Sequence, residues 1–262
     1  MNALLLIFIV AMMISALGFI KYVYFISLGY GFSIAGIAVA LFVLFRSNLA
    51  ICPVIMCVLF IIYGLRLGGY LLIREIKSAA YNKMLEKEVK QDVNFAVKIS
   101  IWVTCAILYV CQCAPLLFRL QNDDGNDIFA IVGIVIMASG IILEMVADYQ
   151  KSAVKKIDSR MFVSTGVYKW VRCPNYFGEL LLWTGAFVSG LNVLNTPFQW
   201  IVVVLGYVGI VYVMFSGARR LEIRQDKNYG QMEVYQEYVK TTPIIIPFLP
   251  MYSVKDHKWL VA

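Results

Sequence analysis

Charge is scarce in this chain. Asp, Glu, Lys and Arg make up 15% of 262 residues, against about 25% in an ordinary soluble domain, and that shortage excludes a water-soluble globular fold. Alternating polar and apolar positions are missing as well, which excludes a transmembrane β-barrel. There is one histidine, His257, close to the C-terminal end, so no histidine in the apolar body serves as general acid or metal ligand. No Walker loop and no strand-linked G-x-G-x-x-G is present, so a nucleotide, if bound, is held without a Rossmann domain. The six cysteines are scattered, and only Cys111-Gln112-Cys113 brings two close together. With no histidine beside them, plain packing outweighs metal or redox use. Internal repeats, low-complexity tracts and linkers are absent, and residues 1–262 read as one domain.

Long apolar runs are abundant instead. Hydrophobic residues form 61% of the chain, and the mean hydropathy is +0.77. Seven runs approach or reach the length that spans a bilayer, roughly 17–25 residues: 3–20, 23–45, 49–73, 98–118, 128–148, 177–193 and 198–216. The first is followed by more of the same and lacks a small-residue cleavage site, so it reads as a membrane helix and not a removed signal. The fold class expected is an all-α, seven-helix membrane bundle. Basic residues set its orientation. Twenty of the 23 Lys and Arg fall at Lys21, in 74–98, in 149–176 and in the tail 217–262, which are the connections on one face. The other face has Arg46 and Arg119, with the acidic Asp123, Asp124 and Asp127. The N-terminus is therefore expected outside and the C-terminus in the cytosol. The net charge of +7 is an orientation signal, and no nucleic-acid partner is expected.

Three stretches carry candidate chemistry. The most informative is Gly166 to Glu179, polar, basic and wedged between two apolar runs. Irregular backbone and charge near membrane depth are tolerated only where protein or a water-filled cavity covers them. Upstream, Glu144, Asp148, Lys151 and Lys155 are spaced four, three and four apart and share one helix face. They fit either a functional site or a structural ion-pair cluster at a helix end. Lys156, Arg160 and Arg172 extend the basic run. Such cationic density suits a polyanionic ligand, and equally a loop against anionic headgroups. Asn175, Glu179 and Trp183, again one face, favour a ligand with amide and ribose groups to grip. In the tail, Arg219, Arg220 and Arg224 either join this anion site or belong to a lid over the bundle, with Tyr238, Thr241 and Pro247 further on. The third stretch is Tyr63-Gly64-Leu65-Arg66-Leu67-Gly68-Gly69-Tyr70, where Tyr63, Arg66, Tyr70 and Arg74 share a face. The Gly64/Gly68 pair is more often close helix packing than ligand contact. With no histidine available, a buried tyrosine is the leading proton donor.

Asn175-Tyr176-Phe177-Gly178-Glu179 with Trp183, Asp148 with Gln150-Lys151, Tyr63-x-x-Arg66, and the terminal Tyr238, Thr241 and Pro247 together resemble the membrane steroid 5α-reductases and their bacterial relatives of the DUF1295 type. The resemblance covers roughly residues 20–250. It implies an N-terminal substrate half, about 1–120, and an NADPH-binding half, about 128–262. Around the cofactor it implies Glu144, Asp148, Lys151, Lys155, Arg160, Arg172, Asn175, Tyr176, Glu179 and Trp183, with Arg219, Glu222, Arg224 and Tyr238 from the tail. Tyr63, with Arg66, would hydrogen-bond the ketone oxygen of a conjugated enone, following oxyanion-hole logic. Ser27, Tyr30 and Tyr70 would lie on the substrate side. The activity implied is NADPH-dependent reduction of the C=C bond of a 3-oxo-Δ4 steroid or related lipid taken from the bilayer, by a monomer in the cytoplasmic membrane or endoplasmic reticulum. The chain departs from the family pattern twice. Cys173 stands where the bacterial relatives carry His. Where the steroid enzymes carry a Gln-Glu pair, this chain has Phe25 to Tyr30 with no carboxylate, leaving Ser27 or Tyr30 to support the ketone.

Two other classes share part of this pattern. A membrane methyltransferase of the isoprenylcysteine or phospholipid type has a related Arg-His-Pro-x-Tyr segment, but S-adenosylmethionine carries no phosphate and needs fewer cations. A non-catalytic lipid-binding protein descended from an enzyme would also fit the two departures. A transporter fits less well, because neither repeated halves nor paired broken helices appear.

Overall fold

The computed structural model describes residues 2–47, 49–77, 93–122, 125–158 and 160–261, and no β-strand occurs among them. Lys83, Lys87, Lys90, Asp123 and Asp124, on which part of the charge asymmetry rests, lie outside the described residues. The helices are α1 Ala3–Ser15, α2 Leu28–Leu44, α3 Ile51–Lys77, α4 Phe95–Gln121, α5 Ile128–Ile157, α6 Pro174–Gly190, α7 Pro197–Tyr229 and α8 Glu233–Thr241. Short 3₁₀ turns precede α2 and α6. Prolines open α6 and α7, where the missing N–H costs nothing because first-turn donors have no partner in the helix.

The all-α expectation holds. Among the described residues, five helical segments are long and apolar enough to cross a membrane: Tyr22–Leu44, Ile51–Lys77, Phe95–Gln121, Ile128–Ile157 and Pro197–Tyr229. The other two expected spans are shorter helices, Ala3–Phe19 counted with its 3₁₀ turn, and the 17-residue α6. Helices also run past the apolar limits read from sequence. A 27-residue helix such as α3 is about 40 Å long at 1.5 Å per residue, more than the roughly 30 Å hydrocarbon layer. Its charged last turn, with Arg74, Glu75 and Lys77, is therefore helical as well.

The chain divides into two compact units. The first comprises Met1–Ile134 and Ala186–Tyr207. Here α2 packs against α3 and α1, and α1 against α4. A Cβ on Gly31 of α2 would lie 2.8 Å from the Gly68 nitrogen and 2.9 Å from the Gly64 oxygen of α3. The Gly64/Gly68 pair thus serves close backbone packing, with van der Waals contact replacing a hydrophobic drive that lipid does not supply. At one end of this unit Glu75 accepts hydrogen bonds from Lys21 and Tyr24. At the start of α3, the Cys52 N–H donates to Asn126 Oδ1 at 2.9 Å. Arg119 is fully buried, and donates to Asp127, to the Ser189 carbonyl and to Asn192 Oδ1, the last at 3.0 Å. A buried guanidinium is stable only when paired and hydrogen-bonded in this way.

The second unit comprises Val135–Gly185 and Val208–Ala262. A Cβ on Gly178 of α6 would meet the Gly140 oxygen of α5 at 2.7 Å and the Glu144 Cγ at 2.7 Å, so glycine brings the two helices together beside Glu144. Phe162 packs among the rings of Tyr229, Tyr235 and Tyr238 at 5.2–5.8 Å between centroids, which fixes α8 to the loop after α5.

Candidate functional site

The polar segment before α6 is anchored at both ends. Gly166 has φ +60°, a left-handed conformation that glycine adopts without penalty, and a Cβ there would collide with the Gln150 side chain. Gln150 Oε1 accepts the Val167 N–H at 2.9 Å. The Tyr168 hydroxyl donates to the Ala147 carbonyl at 3.3 Å, and the Tyr168 carbonyl accepts Tyr238 Oη–H at 2.7 Å. Burial pushes the Tyr238 phenol well above its ordinary pKa, so it remains a neutral donor. Further on, the Arg172 N–H donates to Pro243 O at 2.8 Å and the Cys173 N–H to Ile244 O at 2.9 Å. The proline-rich tail thus forms a short backbone clamp on the residues that lead into α6.

Arg172 lies at the centre of this clamp and is 2% exposed. Its Nη2 donates to Glu222 Oε1 at 2.9 Å and to the Tyr252 carbonyl. The second carboxylate oxygen of Glu222 accepts the Val254 N–H at 2.9 Å. Arg172 Nε and Nη1 have no hydrogen-bond partner although buried. A buried guanidinium with two N–H directions unmet is costly, and its fork geometry matches an oxyanion such as a phosphate. The donor set therefore fits a phosphate-bearing ligand. The Ser216 hydroxyl on α7 is also buried without a partner. It neighbours Gly217, whose Cβ position is 3.4 Å from the Tyr176 ring. Sequence reasoning missed Ser216, because a serine in an apolar run normally bonds back to its own helix.

The other residues singled out in this unit divide by burial. Glu144, Glu179 and Trp183 are buried, and Asp148, Lys151, Asn175, Tyr176 and Arg224 are half-buried. Lys155 donates to the Met161 carbonyl at 2.6 Å and to the Tyr229 hydroxyl at 3.0 Å, which ties down the loop after α5. Arg219 donates from Nε to the Lys255 carbonyl at 2.9 Å and from Nη1 to the Leu260 carbonyl at 3.1 Å, so its contacts are with the tail. Arg160 is exposed. Cys173 is 2% exposed. Burial raises its thiol to about 12, while Arg172 and Lys151 act to lower it. It is a packing residue with negligible thiolate at neutral pH.

In the first unit Tyr63 is fully buried. Its hydroxyl donates to the Tyr30 hydroxyl at 3.0 Å, and the two rings meet edge to face, 6.2 Å between centroids. Tyr30 in turn lies 5.2 Å from the Tyr109 ring, whose hydroxyl donates to the Phe25 carbonyl. Of the two residues expected to support the ketone group, Tyr30 touches Tyr63, whereas the Ser27 hydroxyl donates to Val23 O at 2.9 Å within its own turn. Arg66 and Tyr70 are half-buried on the same helix, and Arg74 lies over the Tyr70 ring at 5.9 Å.

Apolar helices with a buried arginine–glutamate pair in one unit and a buried tyrosine pair in the other define a helical protein of the membrane type. The chain belongs to the family described as a protein of unknown function, DUF1295, whose model matches residues 9–242. It is 25% identical over 137 residues to Steroid 5-alpha-reductase DET2 of Arabidopsis thaliana, covering 50% of this chain and 47% of that protein. It is 32% identical over 80 residues to an uncharacterized protein of Schizosaccharomyces pombe, covering 30% of this chain and 23% of that protein. The chain therefore matches less than half the length of either curated relative. No solved structure matches it.

Proposed function

We propose that this protein is an NADPH-dependent reductase that saturates the conjugated C=C bond of an apolar enone from the bilayer, a 3-oxo-Δ4 steroid or a related lipid. The observation that carries this reading is Arg172, a buried cation whose remaining N–H groups suit a phosphate. Family membership and the similarity to a steroid 5-alpha-reductase support it. We further propose seven spans, the N-terminus outside and the C-terminus in the cytosol, and a monomer whose apolar partners are its substrate and the surrounding lipid.

In this reading the residues of the second unit bind the cofactor. Arg172 and Lys151 meet phosphate oxygens, Asn175 and Glu179 meet amide and ribose groups, and Trp183 supplies an apolar face. NADPH, when bound, supplies a hydride for the β-carbon of the enone. Tyr63 holds its O–H on the ketone oxygen, where negative charge develops as the double bond is reduced. To do so its hydroxyl turns from Tyr30, and Tyr30 then donates to the Tyr63 oxygen. A phenol that accepts one hydrogen bond is a stronger donor in the next. The pair thus replaces the support that the steroid enzymes draw from a carboxylate. The net reaction consumes one hydride at the β-carbon and one proton at the α-carbon.

The deciding experiment incubates the purified, detergent-solubilised full chain with NADPH and a panel of enones, including 3-oxo-Δ4 steroids, with products weighed by mass spectrometry. A product two hydrogens heavier is expected. Absence of NADPH binding overturns the reading, and binding of S-adenosylmethionine in its place moves the assignment to a methyltransferase.

A further inference from the structure

The centre of α4 contains a polar side chain that neither the fold nor the proposed chemistry uses. Gln112 is 3% exposed, and neither its Oε1 nor its Nε2 has a hydrogen-bond partner. The stretch around it, Val110 to Leu120, is buried throughout and otherwise apolar apart from Arg119 at its far end. An unbonded carboxamide in such surroundings costs roughly 1–3 kcal/mol. A leucine of similar volume would remove that cost. Gly206 of α7 lies directly against this turn and holds the backbone of Gln112 close to α7. A Cβ there would be 2.5 Å from the Cys111 carbonyl group and 2.7 Å from the Gln112 nitrogen.

The neighbours of Gln112 indicate what the amide serves. It lies one turn beyond Tyr109, about 4.5 Å further along the helix axis, and residues three apart share a face. Tyr109 is the residue whose ring lies 5.2 Å from Tyr30, and Tyr30 accepts the Tyr63 hydroxyl. One side of α4 therefore leads from the tyrosine pair directly to an unsatisfied amide.

We infer that Gln112 is a second polar contact for the substrate: its carboxamide hydrogen-bonds an oxygen that the substrate carries away from the enone. This rests on the reductase reading. The ligand class is then a largely apolar molecule with two oxygens, the enone carbonyl on Tyr63 and a second ketone or hydroxyl on Gln112. A carboxamide both donates and accepts, so either oxygen type satisfies it. A site built to bond an oxygen rejects the analogue that lacks it, since the buried polar group is then left unpaired.

The test compares two 3-oxo-Δ4 steroids, one with a D-ring ketone and one without, on the wild-type full chain and on Gln112→Leu. Turnover and dissociation constants are both measured, with the melting temperature as control. Wild type is expected to favour the diketone in kcat/KM by about tenfold or more. Gln112→Leu is expected to abolish that preference while melting at the same or a higher temperature. A purely structural role would move the melting temperature and leave the ratio intact. Reduction with no preference in the wild type, an unchanged preference in the variant, or an equal loss on both steroids overturns the subsite and leaves the reductase reading standing. No reduction of any enone by the wild type overturns both.

Discussion

The two polar centres, around Tyr63 and around Arg172, handle buried polarity in opposite ways. Around Tyr63 the buried polar groups are neutral: two phenols bonded to each other, a third bonded to a backbone carbonyl, and an amide one turn beyond that third phenol, with the half-buried Arg66 one turn along α3 as the charged neighbour. Around Arg172 they are charged, and a buried guanidinium is matched by a carboxylate whose second oxygen is taken by a backbone amide. A neutral hydroxyl is cheap to bury and interacts weakly until charge develops on its partner. A buried ion is expensive to install, so it persists where a ligand of opposite charge returns the cost. Under the proposed function, this difference suits an uncharged substrate at Tyr63 and a polyanionic cofactor at Arg172.

The largest expected effect breaks the charged side. Glu222→Leu leaves Arg172 without its carboxylate, and removing one partner of a buried pair costs about 3–5 kcal/mol. Its melting temperature in detergent should fall steeply. The double variant Arg172→Met, Glu222→Leu should recover most of that stability and still fail to bind NADPH. If the single change is silent in a thermal melt, the pair does not hold the second unit together. Next, Tyr63→Phe removes a donor from the developing oxyanion and should lower turnover about 100-fold, the usual scale for one such donor, with NADPH affinity unchanged. A wild-type rate would end its catalytic role, and a parallel loss of NADPH affinity would erase the division between units. Third, Asn175→Ala should weaken NADPH binding about tenfold, the worth of one good hydrogen bond, and an unchanged dissociation constant in a titration would refute that placement. The smallest effect is at Cys173. With its thiol at about 12, and the thiolate as the reactive form, it should resist maleimide at pH 8 until the protein is denatured. Rapid labelling of the native protein would show an open clamp.

Hydropathy alone gives the helices, because apolar length is the one property a bilayer demands. It places their ends less well. Arg74 and Lys77 end α3, and Arg219 to Lys227 continue α7, since a helix leaving the membrane loses apolar character before it loses its backbone hydrogen bonds. The Gly166–Glu179 segment stands out for its polarity, and the carboxylate missing near Tyr30 leaves Ser27 or Tyr30 to support the ketone; only the fold brings Tyr30 against Tyr63. Other features were not legible, because they join residues far apart in sequence. Arg119 reads from the sequence as a charge of the outer connections, yet it is buried against Asp127 and Asn192. Glu222 could be assigned to the anion site, but its bond to Arg172 depends on the fold. Gln112 passed as a spacer between two cysteines, since burial without a partner is a property of three dimensions.

The backbone clamp that Pro243 and Ile244 place on Arg172 and Cys173 also sets an order of events during synthesis. A nascent chain that has just made α7 still has Pro243 and Ile244 inside the ribosome or its exit tunnel, with the amides of Arg172 and Cys173 open to water. The clamp therefore forms after all the helices it joins. A ribosome that stalls between α7 and Pro243 leaves those helices made and the segment before α6 without its backbone partners.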